Sequence, residues 1–469
     1  MLHSALLYDK IIFREEFKCM KRKIYNDILN WKNQSNGKTA LLIEGARRVG
    51  KSYIVEKFAK ENYKSYILID FSKVPKEISE LFDNYLDNLN YLFTYLSEYY
   101  GVKLYERNSL FIFDEIQFCP RARGAIKHLV ADGRYDYIET GSLISIKKNV
   151  KDILIPSEEE ILKMNPMDFE EFLWAMGNDT LMNFIKDCYS TQKELGQPLH
   201  RKAMDYFKEY LIIGGMPQAV LEYRETRDFE KADKIKRNIL NLYREDIRKH
   251  ADELNLKVEQ IFDTIPSQLQ KHEKKFNIST LDANARYRNY EGAFYWLTDA
   301  GLINIAYNTT EPNIGLGQRI DNNSLKCYMF DTGLLLSMTF NEKNIISEEV
   351  YKKILFDKLS FNEGMILENM VAQMLVSRGR KLYFFSRNSR EDSTETMEID
   401  FLILNNKITS KHNIIPIEVK SGDRYTFSSI SKFVTKYNDY LGNPIIIHTK
   451  DLKIQDNILY LPVYMTGLL

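Results

Sequence analysis

The stretch GARRVGKS places Gly45, Gly50, Lys51 and Ser52 in the spacing GxxxxGK[ST], between an apolar run that reads as a strand and a segment that reads as a helix. That spacing suits a nucleotide's phosphates. Gly45, Ala46, Arg47, Arg48, Val49 and Gly50 would wrap their backbone N–H groups around phosphate oxygens, and a Cβ at the glycine turns would obstruct the wrap. Lys51 would set its ammonium on the β and γ phosphates of ATP, Ser52 would ligate Mg²⁺, and the new helix would turn its positive end to the anion. A loop of this kind needs carboxylates on a neighbouring strand, and FIFDE supplies Asp114 to hold Mg²⁺ and Glu115 to deprotonate the attacking water. The plainer reading is a core strand that ends in two acidic residues; the upstream loop weighs against it.

At the end of the next strand, YIETGS offers Thr140 and Ser142 as groups that could sense the γ phosphate, or as simple turn and cap residues. Arg47, Arg48, Arg121 and Arg123 could each stabilise developing charge, and nothing in the sequence selects among them.

A second constellation lies near the C-terminus, where MEIDFLIL and IIPIEVKSG hold Asp400, Glu418 and Lys420 as D…ExK on two expected strands. Residues two apart in a strand share a face, so Glu418 and Lys420 project together. If the strands pair, Asp400, Glu418 and the Val419 carbonyl could bind Mg²⁺, with Lys420 lowering the pKa of an attacking water; Glu368, on the preceding helix, could add a carboxylate. That is the chemistry of metal-dependent phosphodiester cleavage. The alternative is a Glu418–Lys420 salt bridge on a solvated strand face, although strands as apolar as these require a buried charge to be paired or metal-bound.

Positioning these groups falls to the elements around them. Strands TALLIEG, YKSYILIDFS, SLFIFDE and YDYIETGS alternate with helical stretches, including LFDNYLDNLNYLFTYLSEYYG read as one helix, and predict a parallel α/β sheet over residues 1–155. Helical spacing takes over at EEEILKM and continues through RKAMDYFKEYLII, giving a helical lid at 156–230. Residues 231–345 read as helices followed by strand, loop and strand, an order that suits a winged helix. Mixed α/β returns at 355–469.

With 469 residues the chain has room for about three domains, and 44% hydrophobic against 28% charged residues marks it as folded. The 65 basic and 65 acidic residues balance, which argues against a surface uniformly coated for nucleic acid. A local basic face remains open: Lys231 to Tyr290 holds 13 basic and 9 acidic residues. Four dispersed cysteines suggest neither a zinc knuckle nor a disulfide framework and fit a reduced cytoplasm, and the charged N-terminus and short apolar runs suggest neither a signal peptide nor a membrane span.

In order along the chain, GARRVGKS, FIFDEIQ, ETGS, NPMDFEEFL, IGGMPQAV, LYREDI, FDTGLL, LENMVAQML, EIDFLI and IEVKSG resemble the prokaryotic AAA-superfamily ATPases that end in a restriction-endonuclease-like domain of unknown function. The resemblance implies an α/β fold with an AAA-like P-loop NTPase sheet, a helical lid, a winged helix before FDTGLL and a C-terminal PD-(D/E)XK nuclease-like domain. It implies that Gly45, Gly50, Lys51 and Ser52 contact ATP, that Asp114 and Glu115 serve metal and water, and that Ser142 is the sensor. It places Asp400, Glu418 and Lys420 at the reactive positions of the nuclease fold, with Glu368 at its helix position. The NNKITSKHN loop between Asp400 and Glu418 is longer than a compact nuclease hairpin.

Two functions follow as expectations. One is an ATPase whose cycle drives a DNA-facing nuclease domain; the other is an ATP-driven switch whose nuclease-like fold is inert and docks DNA or a protein partner. A homo-oligomer is a further candidate assembly.

Overall fold

The computed structural model describes residues 20–141, 157–271, 274–312, 315–340, 363–389, 392, 395–405, 412–422 and 427–469. They fall into two compact units, one within Met1–Asn165 together with Asp299–Gly301, the other within Pro166–Thr298 and Leu302–Leu469.

In the first unit, helix α1 (Ile24–Ser35) leads to strand β1 (Ala40–Glu44), whose ALLIE side chains are almost wholly buried. After it come α2 (Lys51–Asn62), β2 (Ser65–Asp70), α3 (Lys76–Asn84), α4 (Leu89–Tyr100), β3 (Ser109–Asp114), α5 (Pro120–Asp132), β4 (Asp136–Gly141) and β5 (Glu159–Lys163). The five strands are all parallel, in the order β2-β3-β4-β1-β5. An apolar core that includes Leu42, Ile69, Phe82, Phe113, Ile126 and Tyr137 lies between sheet and helices.

Three expectations change here. The helical reading of EEEILKM fails, because Glu159–Lys163 pairs in parallel with β1 from Ala40 to Glu44; it is a short, charged edge strand, too polar to carry strand periodicity. The single helix expected after β2 is two, since the Asn88 side chain accepts the Tyr91 N–H and starts a new helix there. The carboxylate strand β3 is not beside the P-loop strand β1: β4 lies between them.

The second unit carries α6 (Phe169–Ala175), α7 (Asp179–Thr191), α8 (Gln197–Ile213), α9 (Pro217–Thr226), α10 (Phe229–His250), α11 (Asn255–Leu269), α12 (Glu291–Asp299), β6 (Ile303–Thr309), β7 (Ile320–Met329), α13 (Thr332–Thr339), α14 (Glu363–Ser377), β8 (Leu382–Arg387), β9 (Met397–Leu404), β10 (Ile414–Val419), α15 (Ser428–Tyr437), β11 (Ile445–His448), β12 (Lys453–Gln455) and β13 (Ile458–Pro462). One mixed sheet of eight strands runs β12-β13-β11-β10-β9-β8-β6-β7. The β6–β7 hairpin, the strand pair of the expected winged helix, is therefore the edge of the same sheet that holds the C-terminal segment, with β6 parallel to β8. The segments 231–345 and 355–469 share that sheet.

Four of the family-like stretches interlock in this unit. Asp331, fully buried before α13, accepts the Gly215 N–H at 2.6 Å and the Leu334 N–H at 2.9 Å. Gly215 in turn accepts the Met167 N–H at 2.7 Å. Gly214 sits at φ +79°, and a Cβ there would lie 2.3 Å from Asp331 Oδ1, so the doubled glycine of IGGMP is demanded by backbone angle and by space. Asn369 and Gln373 of α14 bind Met329 and Thr332, and Lys236 of α10 donates to the Ile212 and Gly333 carbonyls at 2.7 and 3.2 Å. These residues serve the architecture: they satisfy buried backbone groups where helix ends meet.

Candidate functional site

The loop from Gly45 to Ser52 joins β1 to α2. A Cβ on Gly45 would lie 2.3 Å from the Met164 carbonyl, and Gly50 adopts φ +97°, so both glycines are sterically required. Ala46 and Val49 are buried; Arg47 and Arg48 are exposed, with Arg48 at φ +70°. The Lys51 ammonium lies inside the loop, donating to the Gly45 and Ala46 carbonyls at 3.0 Å each. Burial pulls its pKa below the ordinary lysine value, against the opposing pull of Glu115 and Asp114.

Asp114, at the end of β3, receives two hydroxyls on the same oxygen. Ser52 Oγ donates to Asp114 Oδ1 at 2.9 Å, and Thr140 Oγ1, from the end of β4, donates to it as well. Inserting β4 between β1 and β3 is what brings Thr140 to this carboxylate. Glu115 follows at φ +53°, a left-handed turn that costs a non-glycine residue on the order of 1 kcal/mol and is typical of functional sites. Gln117 Nε2 donates to Glu115 Oε2 at 2.5 Å and fixes the carboxylate's orientation. Ser142 lies outside the described residues.

Of the candidate arginines, Arg123 is buried between Glu159, at 2.9 Å, and Glu139, at 3.6 Å, and Arg121 pairs with Asp83 at 3.1 Å. The sequence does not single out a further arginine at the loop. Buried Arg22 donates to the Val49 carbonyl and to the Asn165 carbonyl, both at 2.7 Å, and so grips the loop from behind. Its signal in the sequence was faint: one basic residue in MKRKIY, indistinguishable from a solvated helix face.

In the second unit, β9 and β10 pair antiparallel with Phe401 opposite Ile417. The long loop between them is closed by the Asn405 N–H donating to the Asn413 carbonyl at 2.7 Å. Asp400 Oδ2 accepts the Val419 N–H at 2.9 Å, and Lys420 Nζ lies 2.7 Å from Glu418 Oε2. Burial raises the pKa of both carboxyls, Lys420 opposing it at Glu418 and Glu368 adding to it at Asp400. Glu368, buried on α14, accepts from Lys274, from Lys326 at 3.3 Å and from the Tyr328 hydroxyl at 2.5 Å. Burial pushes the Glu368 carboxyl up, but the two ammoniums and the hydroxyl prevail and hold it at about 2.

The sequence alone does not mark Lys326, Lys274 and Glu398 as members of this cluster. Lys326 was detectable in principle, since a lysine within LKCYMF sits in a strand too apolar to leave a charge unpaired. Among the described residues no group of three or more His, Cys, Asp and Glu is arranged to hold a metal ion.

A P-loop on a parallel five-stranded sheet, with an Asp–Glu pair at the end of β3 whose aspartate meets Ser52 of the loop, defines the class of the first unit: an AAA-like P-loop ATPase domain. The family comparison agrees, for residues 37–173 match the AAA domain. Residues 204–344 and 363–465 each match a domain of unknown function, DUF8612 and DUF4143 respectively. Among solved structures, the chain is similar to the Walker-type ATPase PABY2304 of Pyrococcus abyssi, with 15% identity, 68% of this chain and 96% of that chain covered, and a TM-score of 0.41. It is also similar to the ORC1 protein of Aeropyrum pernix, solved in complex with DNA, with 9% identity, coverages of 69% and 93%, and a TM-score of 0.25. A comparison with curated proteins finds no match. No described helix is long and apolar enough to cross a membrane.

Proposed function

We propose that this protein binds and hydrolyses ATP with Mg²⁺ at the first unit, and that nucleotide turnover drives a switch read out by the second. One observation carries the reading: Ser52 and Asp114, from the loop helix and the carboxylate strand, meet at 2.9 Å and form a hard oxygen donor pair that fits Mg²⁺. Bound there, Mg²⁺ supplies charge neutralisation for the β and γ phosphate oxygens. The loop's N–H groups and the N-terminus of α2 take the triphosphate, and the Lys51 ammonium exchanges the Gly45 and Ala46 carbonyls for phosphate oxygens. Glu115, oriented by Gln117, accepts a proton from the attacking water. Thr140, already on the Asp114 carboxylate, relays the state of the γ phosphate to β4, and Ser142 is proposed to share that role.

For the second unit, the sequence supports a winged-helix and nuclease-like element that faces DNA, with Asp400, Glu418 and Lys420 as its reactive set. The inert alternative, docking DNA or a protein partner, draws support from the Glu418–Lys420 pair, which is internally neutral. Calorimetry with ATP and Mg²⁺ tests the first unit: absence of binding heat removes the ATPase reading. Incubation with Mg²⁺ and plasmid tests the second: nicking lost in Lys420→Ala supports cleavage, and no nicking supports the inert alternative.

A further inference from the structure

The carboxylates around Asp400 hold a cation that belongs to the chain itself. Lys326 Nζ lies 2.9 Å from Glu398 Oε1, 3.3 Å from Glu368 Oε1 and 3.7 Å from Asp400 Oδ1, and its side chain is 1% exposed. The Phe384 ring lies 5.1 Å from the same ammonium. Lys274 takes the other oxygen of Glu368. Asp400 spends its second oxygen on the Val419 N–H, and Glu418 is matched by Lys420.

The placement is a property of the whole sheet. Lys326 is on β7 and its partners Glu398 and Asp400 are on β9, with β6 and β8 between them. In a flat sheet three strand spacings are about 14 Å, farther than a lysine side chain reaches. The sheet curls instead about α14, which packs on β6, β7, β8 and β10 and brings Glu368 to the same point. Four chain elements, β7, β8, β9 and α14, thus converge on one ammonium.

We propose that Lys326 is the resident cation of the Glu368–Glu398–Asp400 cluster, and that this sheet is assembled around an internal ammonium in place of a divalent metal. A divalent ion does not fit while Lys326 is there: it would add charge beside a buried ammonium whose carboxylate partners it would have to take. The cluster works as a latch that ties the edge hairpin to α14 and β9. The proposal concerns the second unit, favours the inert alternative over Mg²⁺-dependent cleavage at Asp400, and stands whether or not the first unit hydrolyses ATP.

The test is Mn²⁺ binding followed by electron paramagnetic resonance on full-length protein without nucleotide. Wild type and Asp400→Asn should take up the same amount of Mn²⁺, because no uptake depends on Asp400. Lys326→Met, stripped of the ammonium, should melt at a lower temperature, gain a Mn²⁺ site that is lost again in Lys326→Met/Asp400→Asn, and recover part of its melting temperature when Mn²⁺ is added. Lys326→Arg, which keeps the charge, should bind no additional Mn²⁺ and melt closer to wild type. Wild-type uptake abolished by Asp400→Asn would overturn the proposal, and so would a Lys326→Met protein that melts as wild type does. If Lys326→Met fails to fold, the comparison of wild type with Asp400→Asn decides alone.

Discussion

Ser52 on the first turn of α2 and Asp114 at the end of β3 are joined by a 2.9 Å hydrogen bond across a sheet in which β4 separates β3 from the P-loop strand. The bond couples the phosphate loop to the end of the carboxylate strand. Thr140 binds the same oxygen, so one carboxylate ties together two strands and a helix.

Binding and hydrolysis should separate cleanly by mutation. Lys51→Ala removes the ammonium now held by Gly45 and Ala46, and ATP affinity should fall about tenfold to a hundredfold, the worth of a charged hydrogen bond of roughly 1.5–3 kcal/mol. Glu115→Gln should bind ATP nearly as wild type does while turnover falls by about 10²–10⁴. Titration with a fluorescent ATP analogue and a phosphate-release assay measure the two, and full turnover in Glu115→Gln would reassign the base.

Arg22→Ala should weaken ATP binding without touching the nucleotide. The substitution leaves the Val49 and Asn165 carbonyls without their charged donor, at a cost of about 1–3 kcal/mol for each buried group left unpaired. Arg22→Lys, with a single compact head, should recover part of the loss. An affinity drop larger than the accompanying fall in melting temperature explains would mark Arg22 as a positioning residue; unchanged affinity would reduce it to a core contact.

Acid should destabilise the second unit in two steps. Burial lowers the His448 pKa from 6.5 to about 4, so the unfolded chain binds a proton that the fold resists, and stability falls as pH drops from about 6.5 to 4. Glu368 is held at about 2 against an ordinary 4.5; its contribution is present above 4.5 and is lost as pH falls from there towards 2. Each window is worth on the order of 3 kcal/mol at most. Urea titrations across pH should show His448→Gln flattening the upper window and Glu368→Gln the lower.

Asp331→Ala should cost more than 3 kcal/mol, because two buried N–H groups, from Gly215 and Leu334, lose their acceptor and Lys236 loses a nearby carboxylate. Gly214→Ala should be comparably damaging, forcing a Cβ against Asp331 at φ +79°. Chemical denaturation measures both, and a wild-type midpoint in either would show that the junction of α8 and α13 is looser than its geometry requires.

The sequence by itself determined what depends on neighbours along the chain. GARRVGKS carries its loop in its own spacing, FIFDE ends its strand in two carboxylates, and the alternation of apolar runs with helical stretches marks a parallel sheet. The strand EEILK escaped because an edge strand buries little and shows no periodicity. The tertiary structure decided which charges meet. Strand order set β4 beside Asp114 and so brought Thr140 to its carboxylate, and a curled sheet carried Lys326 from one strand to carboxylates on another and on a helix. Periodicity encodes which face a residue takes, but charges distant in sequence are paired by packing, and only the packed sheet reveals that Lys326 lies among Glu368, Glu398 and Asp400.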